Sequence, residues 1–202
     1  MEQSRPFPPV RIANVDDLDG IVRTLTSAFF TDPLWGPSFP DIALRASQMS
    51  TFWRLFAGSA LRYPFTFVTP DCAAISIWLP PGGHDLTEEQ AHGYDAFLVA
   101  LVGAKAARAI IVVSAQFEEL RPAEPHYYLN FLATHDDHRG HGLGMDLLRE
   151  NLARIDTLGS AAYLESTNPV NNARYQSVGF EPRGAFTTAS GHVVTTMWRA
   201  AR

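Results

Sequence analysis

The 202 residues carry 21 acidic against 16 basic side chains, a formal net charge of −5, and 46% of them are hydrophobic. A chain of that size buries one substantial core, so it reads as one domain spanning 1–202, and its interspersed charges exclude a broad nucleic-acid surface. The single cysteine, Cys72, excludes an internal disulfide and reads as a small buried hydrophobe rather than a nucleophile, which fits a reducing, cytoplasmic setting.

Residues 1–11 are polar and proline-rich and lack the apolar stretch of a secretory signal. Residues 10–13 form a short first strand, and Asn14 caps a helix that places Leu18, Val22, Leu25 and Phe29 on one face. The prolines and glycine of residues 32–40 predict a loop, and Met49, Phe52, Trp53 and Phe56 then mark a second helix. Residues 65–69 and 73–79 pair as a hairpin that Pro80 and Pro81 terminate, because neither proline can donate to a ladder. Residues 88–120 are helical in composition. Their most apolar part, residues 97–113, is interrupted by Lys105 and Arg108 and falls short of an unbroken bilayer span, so no membrane is expected as a partner.

Residues 126–134 are apolar on both faces, as a central strand covered on both sides requires. A helix from Met145 follows, with Leu148, Leu152 and Ile155 as its apolar stripe and Gly159 as its stop. Residues 161–165 are the next strand, Asn168 and Pro169 open a short helix closed by Gly179, and residues 185–189 and 192–198 form a last hairpin around Ser190 and Gly191.

Between the central strand and the Met145 helix lies Arg139-Gly-His-Gly-Leu-Gly144. Glycines at a strand-to-helix turn let the backbone approach a phosphate and aim helix N-terminal amides at it. A dinucleotide fingerprint fails on spacing, because a third glycine would be needed at Met145 or Leu147. A Walker loop fails because Gly144 is followed by Met145 and Asp146. His135, His138 and His141 recur beside Asp136 and Asp137, but an irregular loop does not converge them as zinc requires, and no metal is expected.

The stretch Leu132-Ala-Thr-His-Asp-Asp-His-Arg-Gly-His-Gly-Leu-Gly-Met145 resembles the acetyl-CoA signature of the GNAT superfamily of N-acetyltransferases, with Arg139, Gly142 and Gly144 filling its core. The resemblance continues through Tyr163-Leu-Glu165, Asn168, Asn172, Tyr175 and Gly179-Phe180, and covers the C-terminal third closely. Within the superfamily, residues 78–83, the Tyr163-Leu-Glu165 strand and the Asp32-Pro33 loop look most like the puromycin N-acetyltransferase branch. The resemblance implies an α/β (α+β) GNAT fold. Its sheet is mixed, mostly antiparallel and twisted, of roughly six to seven strands flanked by helices, and two parallel strands splay apart into a cofactor cleft.

It also implies roles. The backbone of Leu132, Ala133 and Thr134 corresponds to the pantetheine-binding strand, with a backbone N–H near Leu132 or Ala133 for the oxyanion. The turn Arg139, Gly140, His141, Gly142, Leu143, Gly144 and Met145 corresponds to the pyrophosphate cradle. Asn168 and Asn172 match cofactor-contact positions, although capping alone also explains Asn168.

Tyr175 corresponds to the general acid that protonates the departing thiolate, and Glu165 is a candidate base toward the incoming ammonium, directly or through water. Glu118, Glu119 and His126 are alternative bases. Trp35, Phe39, Trp53, Phe56 and Trp78 are either core or an aromatic substrate wall. The expected activity is acetyl-CoA-dependent N-acetylation of a primary amine, on a small molecule, by direct attack in a ternary complex. A non-catalytic acyl-CoA-binding sensor on the same fold is the alternative. A homodimer stays open as the assembly.

Overall fold

A computed structural model describes residues 8–202. The expectation for the start of the chain falls, for residues 1–7, outside the described residues. Seven strands, β1 (Arg11–Ile12), β2 (Thr66–Val68), β3 (Ala74–Leu79), β4 (His126–Thr134), β5 (Ala161–Ser166), β6 (Glu181–Thr187) and β7 (Val193–Arg199), form one sheet in the order β1-β2-β3-β4-β5-β7-β6. Every neighbouring pair is antiparallel except β4 and β5. The helices are α1 (Leu18–Phe29), α2 (Trp35–Ser38), α3 (Arg45–Ala60), α4 (Glu88–Leu120), α5 (Leu143–Thr157) and α6 (Asn172–Gln176).

The two faces of the sheet follow from alternation along the central strands. Ile75 and Ile77 of β3 point to one side, where Ile21 and Leu25 of α1, Phe52 and Trp53 of α3 and Leu98 and Ile110 of α4 cover them. Ala74 and Trp78 point to the other side, against Leu147, Leu148, Leu152 and Ile155 of α5. Ser76 shares that second face, and its hydroxyl donates to Asn151 Oδ1 at 2.5 Å while Trp78 Nε1 donates to the same oxygen at 3.0 Å. One amide oxygen thereby satisfies two buried donors of the sheet.

β4 breaks the alternation. Tyr127 and Leu129 pack with α5, yet Phe131 and Ala133 pack on the opposite face with α1 and α3. The ladder to β3 explains it: Trp78 pairs with Leu129 and Ile77 with Phe131, leaving Asn130 as an extra residue without a partner. A one-residue bulge sends every later side chain to the other face, and here it frees a polar side chain in the middle of an apolar strand.

Four sequence expectations change. Residues 32–40 are not all loop, because buried Asp32 accepts from the backbone N–H groups of Leu34 (2.9 Å) and Trp35 (3.0 Å) and so starts the short α2. α5 begins at Leu143 rather than Met145, since Gly142 takes the left-handed conformation (φ 78°) and serves as its N-cap. β6 starts at Glu181, earlier than expected. As an edge strand, with a register shift between Pro182 and Gly184, it tolerates that proline and glycine.

The fourth change concerns α4, which a capping box of Thr87 and Gln90 opens. By length and composition it is long and apolar enough to cross a membrane, despite Lys105 and Arg108. The interruption is in the backbone instead: Gly103, at φ 78° and ψ 160°, breaks the helical path. Leu98, Ala107, Ile110 and Val113 are its buried residues.

Candidate active site

β4 and β5 pair only through His126↔Ala161, Tyr127↔Ala162 and Tyr128↔Tyr163. Past Tyr128 the two parallel strands diverge, so the backbone of residues 129–134 is left without a β5 partner. The gap opens into a cavity of about 1460 Å³, room for two substrates together. Leu132, Ala133 and Thr134 line it, as do Glu165, Asn168 and Tyr175.

The glycine turn forms one wall. Arg139, Gly140, Gly142, Leu143, Gly144 and Met145 all line the cavity, whereas His141 is turned to solvent. Gly140 (φ 83°) and Gly142 (φ 78°) adopt backbone conformations that other residues reach only with strain. Among the described residues no side chain caps the first amides of α5, which leaves them available to an anion. The Arg139 guanidinium is committed to the turn itself, donating to the Ala28 carbonyl at 2.8 Å and pairing with Asp136 at 3.0 Å. Its role here is to tie the turn to the end of α1.

Glu165 stands near the end of β5, beneath the gap. Burial raises its carboxyl pKa to about 7, partly offset by the Tyr128 phenol and the Arg121 guanidinium. Its Oε1 is buried without a hydrogen-bond partner. Arg121 is held between Asp85 (3.1 Å) and Glu118 (3.2 Å) and lies 4.3 Å from the centre of the Tyr128 ring. The bulge residue Asn130 completes this group, its Nδ2 donating to Asp85 Oδ1 at 2.6 Å.

Tyr175, on α6, packs edge-on against Phe180 with ring centres 6.2 Å apart. Burial, reinforced by the negative charge of Asp32, pushes its phenol up to about 12, so it holds its proton across the neutral range. Asp32 itself accepts from the Thr167 hydroxyl at 3.0 Å, which links the loop before α2 to the end of β5.

The remaining expected positions divide. Asn168 lines the cavity and also caps the following turn by accepting from Val170 N–H at 3.2 Å. Asn172 lies outside the lining and donates to Thr195 on β7 at 3.2 Å. Of the alternative bases, Glu118 lines the cavity but is engaged by Arg121, and Glu119 is exposed and outside it. His126 sits among Tyr163 and Trp198 away from the lining, donating to or accepting from no cavity group; its ring Nδ1 contacts the Glu124 carbonyl at 2.6 Å, and burial lowers its pKa. Trp35 and Phe56 belong to the cavity wall, while Phe39, Trp53 and Trp78 are core.

Asp32, Asp85, Arg121 and Asn130 were not among the candidates read from sequence. Asn130 carried a usable signal, an amide in the middle of a strand that is otherwise aromatic and aliphatic. Asp85 and Arg121 flank α4, whose helical path breaks at Gly103, and their meeting across its length is something no local pattern reveals.

The chain matches the Acetyltransferase (GNAT) family over residues 64–180. Among solved structures it is similar to a histone acetyltransferase HPA2 and related acetyltransferase from Corynebacterium glutamicum, at 26% identity and a TM-score of 0.72 over 98% of both chains. In fold it is also similar to a putative arylalkylamine N-acetyltransferase 7 from Aedes aegypti, at 14% identity and a TM-score of 0.62 over 94% of this chain and 85% of that one. A third likeness of fold is to a Drosophila melanogaster polyamine N-acetyltransferase, at 16% identity and a TM-score of 0.59 over 95% and 99%. The glycine turn beside splayed parallel strands and the family match over more than half of the sequence agree, and the chain is an acyltransferase that belongs to the GNAT family of acetyltransferases.

Proposed function

We propose that this enzyme transfers an acetyl group from acetyl-CoA to a primary amine of a small molecule, by direct attack within a ternary complex. The observation that carries the reading is that Glu165, Tyr175 and the glycine turn line one cavity in the gap between β4 and β5. The residues present fit acetyl-CoA. The amides at the start of α5 have no side-chain cap, and Gly144 lies so near β4 that a Cβ there would stand 2.8 Å from Thr134 Oγ1. The unpaired edge of residues 129–134 offers N–H and C=O groups to an extended, amide-bearing arm.

Acetyl-CoA, when bound, supplies an activated thioester; the protein does the rest. Glu165, with a carboxyl poised near neutrality, accepts the proton that the ammonium must lose before it can attack. A backbone N–H of Leu132 or Ala133 holds the developing oxyanion. Tyr175 keeps a proton on its phenol oxygen for the departing sulfur. On the resemblance of the Asp32 loop, residues 78–83 and the Glu165 strand we further propose a place in the puromycin N-acetyltransferase branch; of these segments, Asp32 and Glu165 line the cavity.

Thiol release from acetyl-CoA across a panel of small primary amines, combined with calorimetric binding of acetyl-CoA, tests the proposal. Amine-dependent release supports it. Tight binding with no release under any amine overturns it and makes the chain a sensor.

A further inference from the structure

Among the described residues, five carboxylates line the cavity: Asp32, Asp85, Glu88, Glu118 and Glu165. Four are occupied or lie in solvent. Asp32 accepts from Leu34, Trp35 and Thr167. Asp85 is taken by Arg121 and Asn130, and Glu118 by the same Arg121. Glu88 is exposed in the first turn of α4. Of these five, Glu165 alone combines a buried oxygen with the lack of a hydrogen-bond partner among the described residues.

Much of the rest of the cavity lining is aromatic. Trp35, Phe52, Phe56, Tyr94, Phe117 and Phe131 line the cavity and form one chain of ring contacts: Phe52 lies 5.5 Å from Trp35 and 4.8 Å from Phe56, Phe56 lies 5.8 Å from Tyr94 and 6.2 Å from Phe131, and Trp35 lies 6.4 Å from Phe117. The cations at this end, Arg62 and Arg121, are already stacked on Tyr63 and Tyr128. One buried carboxylate can neutralise one ammonium. A second ammonium elsewhere in the cavity would meet rings, guanidinium groups and engaged carboxylates rather than an unengaged buried acid, and an unpaired buried charge is costly.

We propose that the acceptor is a primary monoamine with an aromatic or bulky alkyl body, seated against the Phe56–Phe117 wall with its nitrogen toward Glu165, and that diamines are selected against. The inference rests on the acetyl-transfer reading of the same site. Burying a ring or alkyl chain against such a wall raises kcat/KM, while an added charge with no partner lowers it.

Two matched pairs of amines test it: hexylamine against hexamethylenediamine, which differ by the second ammonium, and phenethylamine against ethylamine, which differ by the ring. Thiol release should give a kcat/KM at least about tenfold higher for the first member of each pair. Arg121→Gln frees Asp85 and Glu118 and should shrink the hexylamine preference. Phe117→Ala should shrink the phenethylamine preference, with acetyl-CoA affinity unchanged in both variants.

Equal or better use of hexamethylenediamine by the unmodified enzyme overturns the inference and leaves acetyl transfer standing. So do ratios that neither substitution moves. If acetyl-CoA binds and other amines of the wider panel release thiol while none of these four does, the inference alone fails; if no amine at all releases thiol, the acetyl-transfer reading fails and takes the inference with it. Should Phe117→Ala not fold, the ratios of the unmodified enzyme still decide.

Discussion

Gly144, in the first turn of α5, faces Thr134, the last residue of β4, so closely that a methyl group on its Cα would lie 2.8 Å from the threonine Oγ1. That contact sets how near the helix N-terminus comes to the end of the strand, and both residues line the cavity. Alanine would otherwise be welcome at a helical position, where it is favoured over glycine by about 1 kcal/mol. Gly144→Ala is therefore expected to weaken acetyl-CoA binding by about tenfold by pushing the turn off the strand, a cost of about 1.4 kcal/mol. Thr134 is β-branched and restricted at χ1, so turning its hydroxyl aside costs free energy. Removing its hydroxyl in the double variant Gly144→Ala/Thr134→Ala should restore most of the lost affinity, and a calorimetric double-mutant cycle with no coupling would refute the account.

Glu165 makes two separate claims about pH. Its carboxyl is raised from the ordinary value of 4.5 to about 7, so the rate should climb with pH through about 7 and level off above it. Glu165→Gln should flatten that limb and lower kcat by about a hundredfold. The stability effect has the opposite sense. The unfolded chain ionises this carboxyl at lower pH than the native one does, so between those values rising pH favours unfolding. The glutamine variant is expected to match the parent in thermal melts below about pH 4.5 and to exceed it by about 2 to 3 kcal/mol above pH 7. A variant less stable than the parent at high pH would show that the carboxylate is not held at a desolvation cost.

How the site could be read from sequence depends on the range of the interactions involved. The glycine turn was legible because its job is local: Gly140 and Gly142 need left-handed backbone, and Gly144 needs close approach, within a few residues of one another. Tyr175 and Glu165 were reached through motif position rather than physics, since nothing in a lone tyrosine or glutamate states what it faces. Asn130 was hidden because period-two reasoning assumes an unbroken strand, and the bulge between Trp78 and Ile77 reverses the facing from Phe131 onward. Asp85 and Arg121 are brought together across α4, at a separation where sequence patterns carry no information. His141 and Asn172 show the converse, for they sit inside the right motif yet lie outside the cavity lining.

Tyr175→Phe removes one oxygen and keeps the ring that packs on Phe180. The fold and acetyl-CoA affinity should be unchanged, while kcat falls by about a hundredfold, the usual worth of a positioned acid. Because the phenol is held near 12, the parent should show no loss of rate from its ionisation at mildly alkaline pH. Equal kcat for parent and variant under single-turnover conditions would remove Tyr175 from proton transfer. A fall in KM or binding alone would recast it as part of the cavity wall.

Outside the cavity lining, stability has its own lock. Arg199 of β7 is nearly inaccessible, with its side chain 4% exposed, and it donates to both oxygens of Asp156 at 2.6 and 2.8 Å and to the Val178 carbonyl at 3.1 Å. One guanidinium thus joins β7, the end of α5 and the segment after α6, in the bidentate geometry that arginine supplies and lysine does not. The pairing holds the Asp156 carboxyl below its ordinary range, chiefly through the hydrogen bonds from Arg199. The native state therefore gains its stabilisation where an unfolded carboxyl is already ionised, and loses it as pH falls below about 4 through the depressed value.

Asp156→Asn should cost about 2 to 3 kcal/mol at neutral pH, because it leaves a buried guanidinium without its charge partner, and the deficit should shrink in acid as the parent carboxylate is protonated. Arg199→Lys should not rescue more than a fraction of an Arg199→Met loss. Chemical denaturation at about pH 7 and about pH 3.5 checks both, and a deficit for Asp156→Asn that stays constant or grows in acid would contradict the pairing.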